Sequence, residues 1–138
     1  MRLIQTIILA SIFSYISYGD IKTHEADDYL HIMVFICAMI SLPEDQLLPR
    51  ACGALILGLV MLLSTVIIPG TGIGGADIKF SAACAFLVPL DHLLLAFCLG
   101  LFLALIFNAP IFKKKGEAQG FPMLPYLSVG FMLVFLLV

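Results

Sequence analysis

Six apolar runs, separated by short breaks that carry charge, glycine or proline, dominate this sequence. They cover roughly residues 3–18, 29–42, 51–68, 78–90, 92–112 and 122–138. A helix crosses the hydrocarbon layer of a bilayer with ~20 apolar residues. With 62% of its 138 residues hydrophobic and 12% charged, the chain has too little polar surface to enclose a water-soluble core. We therefore predict an all-α fold, one domain over residues 1–138, in a polytopic membrane protein with about six transmembrane helices.

The breaks between the runs predict an orientation. With six crossings, Lys22, Lys79 and the run 113–115 share one side of the membrane, whereas Arg2 and Arg50 face the other side. Because cytoplasmic loops are enriched in lysine and arginine, the first side is predicted to be cytoplasmic. The first run resembles a secretory signal peptide, but it lacks a convincing small-x-small cleavage site. We interpret it as the first membrane helix.

The cysteines and histidines show no pattern typical of a metal site. Cys37, Cys52, Cys84 and Cys98 lie inside apolar runs without C-x-x-C spacing, whereas structural zinc needs paired thiolates in a polar setting. The three histidines do not cluster along the chain. We predict no metal and no cofactor. The net charge of -2 and the lack of a long basic stretch argue against nucleic acid as a partner.

Several polar residues and prolines are placed where helices begin. Asp27 and Asp28 precede the second run and are predicted to cap its exposed N–H groups. Asp91 is placed to cap the fifth helix in the same way. Pro122 suits the first turn of the sixth helix, where the missing N–H of proline costs nothing.

Two aspartates lie beside glycines at the edges of apolar runs. Asp20 follows the first run, and Asp77 precedes the fourth within the stretch PGTGIGGADIKF. In the six-helix layout, Asp20 and Asp77 both lie at the cytoplasmic end of the helices. A carboxylate at the centre of a membrane helix costs about 2.5 to 3.5 kcal/mol and less near the ends, so it needs a polar cavity or partner. Gly72, Gly74 and Gly75 leave room for another chain to approach Asp77.

The residues alone leave more than one interpretation of this pair open. Two aspartates that share one proton across a water molecule are the working unit of aspartic proteolysis. Alternatively, Asp20 and Asp77 bind or relay protons in a small proton- or ion-coupled membrane transport subunit. A third interpretation is a structural membrane subunit with capped helix ends and no chemistry. For the glycine-rich stretch taken alone, the alternative is a flexible loop with one solvated aspartate.

Three elements of the chain, in order, resemble the type IV prepilin peptidase family of membrane aspartyl proteases, which carry a GxGD-type motif. They are SYGDIKTHEADDYL, GIGGADIKF and GFPMLPYLSVG. The resemblance implies an intramembrane aspartic endopeptidase that cleaves the leader from type IV prepilins or prepilin-like proteins. The substrate would carry a basic leader followed by an apolar helix. Cleavage would occur at the cytoplasmic face of the inner (cytoplasmic) membrane.

The same resemblance assigns residues. The family's first catalytic aspartate follows the first helix of the catalytic core, and the second lies in the G-x-G-D motif, which places them at Asp20 and Asp77. Ala76 stands where the short motif has glycine. Larger members carry a cytoplasmic domain with four cysteines, and we expect a compact form without it. The residues expected to bind substrate are Gly74, Gly75, Lys79, Pro122 and Pro125.

Two of these groups have alternative roles. Pro122 and Pro125 leave backbone carbonyls without their usual donors, and such acceptors suit an extended substrate strand. The alternative for both prolines is a simple helix start. Lys79 lies two residues beyond Asp77, so it either shifts the pKa of that carboxyl or serves as a topology anchor.

Overall fold

A computed structural model describes residues 2–23, 27–40, 42–67, 74–115 and 122–138. The described residues form six α-helices and one short 3₁₀ helix. They are α1 (Arg2–Thr23), α2 (Asp28–Ile40), η1 (Glu44–Gln46), α3 (Leu47–Ile67), α4 (Gly75–Cys84), α5 (Leu90–Lys115) and α6 (Leu124–Leu137). The predicted all-α class is confirmed. Residues 68–73, which include Gly72 between the third and fourth apolar runs, lie outside the described residues.

The surface of the described bundle is apolar, as expected for contact with lipid. Three helical stretches are long and apolar enough to cross a membrane: Arg2–Thr23, Glu44–Ile67 and Leu90–Asn108. The apolar helices α2 and α6 are shorter, and α4 has ten residues. Leucines such as Leu55 and Leu94 are largely exposed on the outside, where water would penalise them and hydrocarbon does not.

Three helix starts differ from the predicted ones. Helix α5 begins at Leu90, so Asp91 lies in its first turn instead of capping it; its negative charge still suits the positive end of the helix. Helix α6 begins at Leu124, and the proline in its first turn is Pro125 instead of Pro122. The carboxylate of Asp28 does not cap α2: Asp28 is the first helical residue, and its carboxylate forms an ion pair with Lys79 across to α4.

Contacts between chain-distant residues define the two ends of the bundle. At one end, Arg2 donates to the backbone carbonyl of Val138, with 3.3 Å between nitrogen and oxygen. At the other end, which we call the aspartate end, the last turn of α1 meets the starts of α2, α4 and α6. The carboxylate of Asp20 lies at this end, as does the ion pair of Asp28 with Lys79.

Helices α5 and α6 approach so closely that their backbones touch. A Cβ atom added at Gly130 would lie 2.6 Å from the carbonyl oxygen of Ala96 and 2.6 Å from the backbone nitrogen of Gly100. A Cβ at Gly100 would lie 2.9 Å from the Cα of Leu127. Small residues permit such contacts between membrane helices. The crossing holds α6 in the position from which its first residue reaches Asp20.

Candidate active site

Asp20 lies in the last turn of α1 and points into the bundle, with 8% of its surface exposed. The backbone N–H of Leu124 donates to its Oδ2 atom at 3.0 Å. Leu124 opens α6, and the first N–H groups of a helix have no partner within that helix. The carboxylate of Asp20 therefore satisfies one of them from a different helix. This contact holds one oxygen of Asp20 in place.

Asp77 lies in the first turn of α4 and is also buried, with 7% of its surface exposed. Its Oδ2 atom accepts a hydrogen bond from the backbone N–H of Gly74 at 2.8 Å. This is the carboxylate half of a capping box; glycine has no side chain to supply the other half. The bend that turns the chain into α4 therefore also orients the carboxyl.

The carboxyl of Asp77, which lies outside the candidate spans, has an altered pKa. The pKa is raised to about 6 in total: burial raises it most, the hydrogen bond from Gly74 lowers it, and the nearby carboxyl of Asp20 raises it. The largest cause is burial, because a charged carboxylate loses its hydration there. Asp20 contributes because like charges disfavour each other. The two carboxyls thus lie within electrostatic range of each other.

A pair of aromatic rings links the two helices that carry these aspartates. Phe13 of α1 and Phe80 of α4 meet edge to face, with ring centroids 5.4 Å apart. Phe80 follows Asp77 by three residues and so shares its helix face. Both rings are buried, and Phe80 has no exposed surface. Both rings belong to the apolar core of the bundle.

The predicted substrate-binding residues at and near the start of α4 differ in their surroundings. Gly74 and Gly75 are exposed, and a Cβ added at Gly75 would meet nothing within 4 Å. Among the described residues, none fills the space beside Gly75 at the start of α4. Lys79 points elsewhere: its Nζ atom lies 2.7 Å from Oδ1 of Asp28, and both side chains are mostly exposed. Lys79 is thus the partner of Asp28.

The two prolines flank the start of α6. Pro122 precedes the helix and is half-buried. The carbonyl of Pro125 accepts a hydrogen bond from the Ser128 hydroxyl at 2.7 Å, so it already has a donor. Pro125 also borders a cavity of about 350 Å³ between α1 and α6. The acceptor predicted from the sequence is the carbonyl four residues before Pro125, which lies outside the described residues.

Residues 7–109 match the model of the Type IV leader peptidase family, which is more than half of the chain. The chain belongs to this family. The resemblance inferred from the three sequence elements is confirmed. No curated protein and no solved structure matched the chain in the same comparisons. The family and the apolar helices together indicate a peptidase of the membrane.

The matched range covers part of the site of this leader peptidase. It includes Asp20 and Asp77 and ends before α6. The N–H of Leu124 that holds Asp20 therefore comes from outside the match. Sequence reasoning did not identify this backbone donor, because a backbone N–H has no signature of its own in the sequence.

The structure also shows a polar residue that sequence reasoning did not select. His31 of α2 is buried, with 4% of its surface exposed, and its ring centroid lies 6.0 Å from that of Phe80. Neither ring nitrogen has a hydrogen-bond partner among the described residues. A single histidine in an apolar run carries no signal of such burial, because burial depends on how α2 docks against α4.

Candidate metal ligands are sparse in the described part of the chain. No group of three or more histidine, cysteine, aspartate or glutamate side chains there could hold a metal ion. Cys37 and Cys84 are buried, Cys52 and Cys98 are exposed, and all four thiols are free.

Proposed function

We propose that this leader peptidase is an aspartic endopeptidase that cleaves the leader of type IV prepilins or prepilin-like proteins. Asp20 and Asp77 form its catalytic pair, at the cytoplasmic face of the inner membrane. The observation that carries the proposal is the placement of two buried carboxyls within electrostatic range of each other at one end of an apolar bundle. The family match supports the reaction class.

The pair divides the work of peptide hydrolysis. Asp20 takes a proton from a water molecule while the water oxygen attacks the carbonyl carbon of the scissile bond. Asp77, whose raised pKa favours the protonated form, donates its proton to the carbonyl oxygen. The resulting tetrahedral intermediate collapses, the C–N bond breaks, and the proton held by Asp20 passes to the leaving nitrogen. Asp77 recovers its proton from the new carboxyl group.

The substrate backbone approaches across the start of α4. Gly74 and Gly75 are exposed there and carry no side chain that would keep an extended strand away from Asp77. Pro122 and Pro125 border the same region from the start of α6, beside the donor that holds Asp20. An extended peptide between α4 and α6 would therefore present its carbonyl to both carboxyls.

The rate of cleavage should depend on the protonation of Asp77. Its pKa is raised to about 6, so the proton that it donates is present below that pH and is lost as the pH rises through it. We expect kcat/KM to fall on the alkaline side with an apparent pKa of about 6 or higher, instead of about 4. The measurement is kcat/KM in detergent between about pH 4 and about pH 8. A constant rate up to about pH 8 would exclude Asp77 as the acid.

Removal of divalent metal should leave cleavage unchanged. Two carboxyls already supply the base and the acid that a metallopeptidase obtains partly from its ion. The measurement is the rate of leader removal in detergent with and without a strong chelator. Loss of cleavage on chelation, followed by recovery on addition of zinc, would contradict the proposed chemistry.

Co-expression with a prepilin tests the function itself. The substrate should carry a basic leader followed by an apolar helix. Mass spectrometry of the product should show a new N-terminus at the junction between the leader and that helix. The same prepilin expressed alone is the control. Unchanged prepilin, with both proteins present in the membrane fraction, would refute the proposed function.

A further inference from the structure

A groove runs between α2 and α4 from the aspartate end toward the membrane interior. It holds a cavity of about 420 Å³. Its lining residues are Asp28, His31, Ile32, Phe35, Lys79, Ala82, Ala83 and Phe86. We call it the α2–α4 groove. At the rise of a helix, the seven steps from Asp28 to Phe35 extend about 10 Å, or about two helical turns.

The two ends of the α2–α4 groove differ in polarity. The ion pair of Asp28 with Lys79 lies at the aspartate end. The edge-to-face rings of Phe35 and Phe86, with centroids 4.9 Å apart, lie at the far end. Ile32 is 58% exposed between them, so the groove opens to the surface that faces lipid. An apolar helix within the bilayer can therefore enter it from the side.

His31 distinguishes this groove from a purely apolar one. Its ring forms part of the groove wall, and both ring nitrogens lack a partner among the described residues. A buried polar group without a partner costs free energy that a partner would recover. The ring also contacts Phe80, which shares a helix face with Asp77. An occupant with a hydrogen-bonding group would satisfy His31, whereas a lipid acyl chain would leave it unpaired.

We propose that the α2–α4 groove binds the first two turns of the apolar helix of the prepilin substrate, and that His31 bonds a polar group on that helix. This inference rests on the proposed function. The groove begins beside Lys79, about half a turn along α4 from Asp77. In the proposed substrate, the apolar helix begins just beyond the scissile bond. Side chains at i, i+3, i+4 and i+7 of a helix span about 10 Å, which matches the groove length.

Photo-crosslinking tests which molecule occupies the α2–α4 groove. A benzophenone amino acid replaces Ile32 in the groove or, as a matched control, Ile40, which lies on the same helix beyond the groove and is 60% exposed. An Asp77→Asn background keeps the co-expressed prepilin uncleaved. We expect adducts from position 32 to the first two turns of the prepilin helix and few from position 40. Equal adducts at both positions, or only lipid adducts at position 32, would overturn the proposal.

Kinetics of otherwise unmodified enzyme supply an independent test. Ile32→Trp fills the groove, so we expect KM to rise about tenfold with kcat changed less than about twofold. Ile40→Trp should change neither constant. If the parent enzyme cleaves prepilin and Ile32→Trp leaves KM unchanged, the groove assignment fails while the proposed function stands. If the parent enzyme does not cleave prepilin, the proposed function fails and the groove assignment fails with it.

The role of His31 has its own readout. His31→Phe keeps the ring shape but removes both nitrogens, so it relieves an unpaired buried polar group while removing the bond to substrate. We expect a higher KM together with an unchanged or higher melting temperature. An unchanged KM would remove His31 from substrate recognition.

Discussion

Asp20→Asn and Asp77→Asn should each abolish prepilin cleavage while the protein still inserts into the membrane. Asparagine keeps the shape of aspartate and can accept the N–H of Leu124 or of Gly74 through its amide oxygen. It cannot exchange the proton that hydrolysis requires, so we expect a loss of at least about a thousandfold in rate. Leader removal is measured by mass spectrometry, and insertion by recovery in the membrane fraction.

Asp27→Asn and Asp28→Asn are the matched controls. Both residues are exposed and lie near the same end of the bundle. Asp28→Asn weakens the ion pair with Lys79, but exposed pairs contribute little to stability. Asp27→Asn should retain most of the activity, and Asp28→Asn, at a position that lines the α2–α4 groove, should retain kcat. Full activity in Asp20→Asn, combined with loss in Asp27→Asn, would move the catalytic carboxyl from the last turn of α1 to the residue before α2 and refute our assignment.

Gly130→Ala should have the largest effect on stability. The added methyl group would lie 2.6 Å from backbone atoms of Ala96 and Gly100, and backbone cannot move aside as a flexible side chain can. The two helices must separate, which we expect to cost about 1 to 3 kcal/mol. The separation also shifts Leu124 away from Asp20, so cleavage should fall as well. Thermal unfolding in detergent measures the change.

Gly58→Ala provides the control for the glycine substitution. Gly58 also lies inside a helix, but a Cβ there would meet only the Cβ of Ala82, at 3.9 Å. Alanine favours the helix over glycine by about 1 kcal/mol, so this variant should be as stable as the parent or more stable. Equal melting temperatures for Gly130→Ala and the parent protein would show that α5 and α6 do not cross as closely as the structure has them.

Single side chains with several possible partners were not predictable from the sequence. Lys79 was considered as a neighbour of Asp77, whereas it pairs with Asp28. The hydrogen bond from the Ser128 hydroxyl to the carbonyl of Pro125 has no signal in the sequence either. In both cases the sequence shows that a polar group exists near a helix start. The partner depends on how each helix is rotated and how deeply it docks.

The sequence by itself determined the helical class and brought Asp20 and Asp77 to one end. In lipid, each apolar run must satisfy its own backbone hydrogen bonds, so the runs become helices, and successive helices reverse direction. Only the tertiary structure decided the surroundings of those carboxyls. The N–H of Leu124 reaches Asp20 because the backbones of α5 and α6 touch at Gly130. That contact depends on packing between helices, which the order of residues along one helix does not encode.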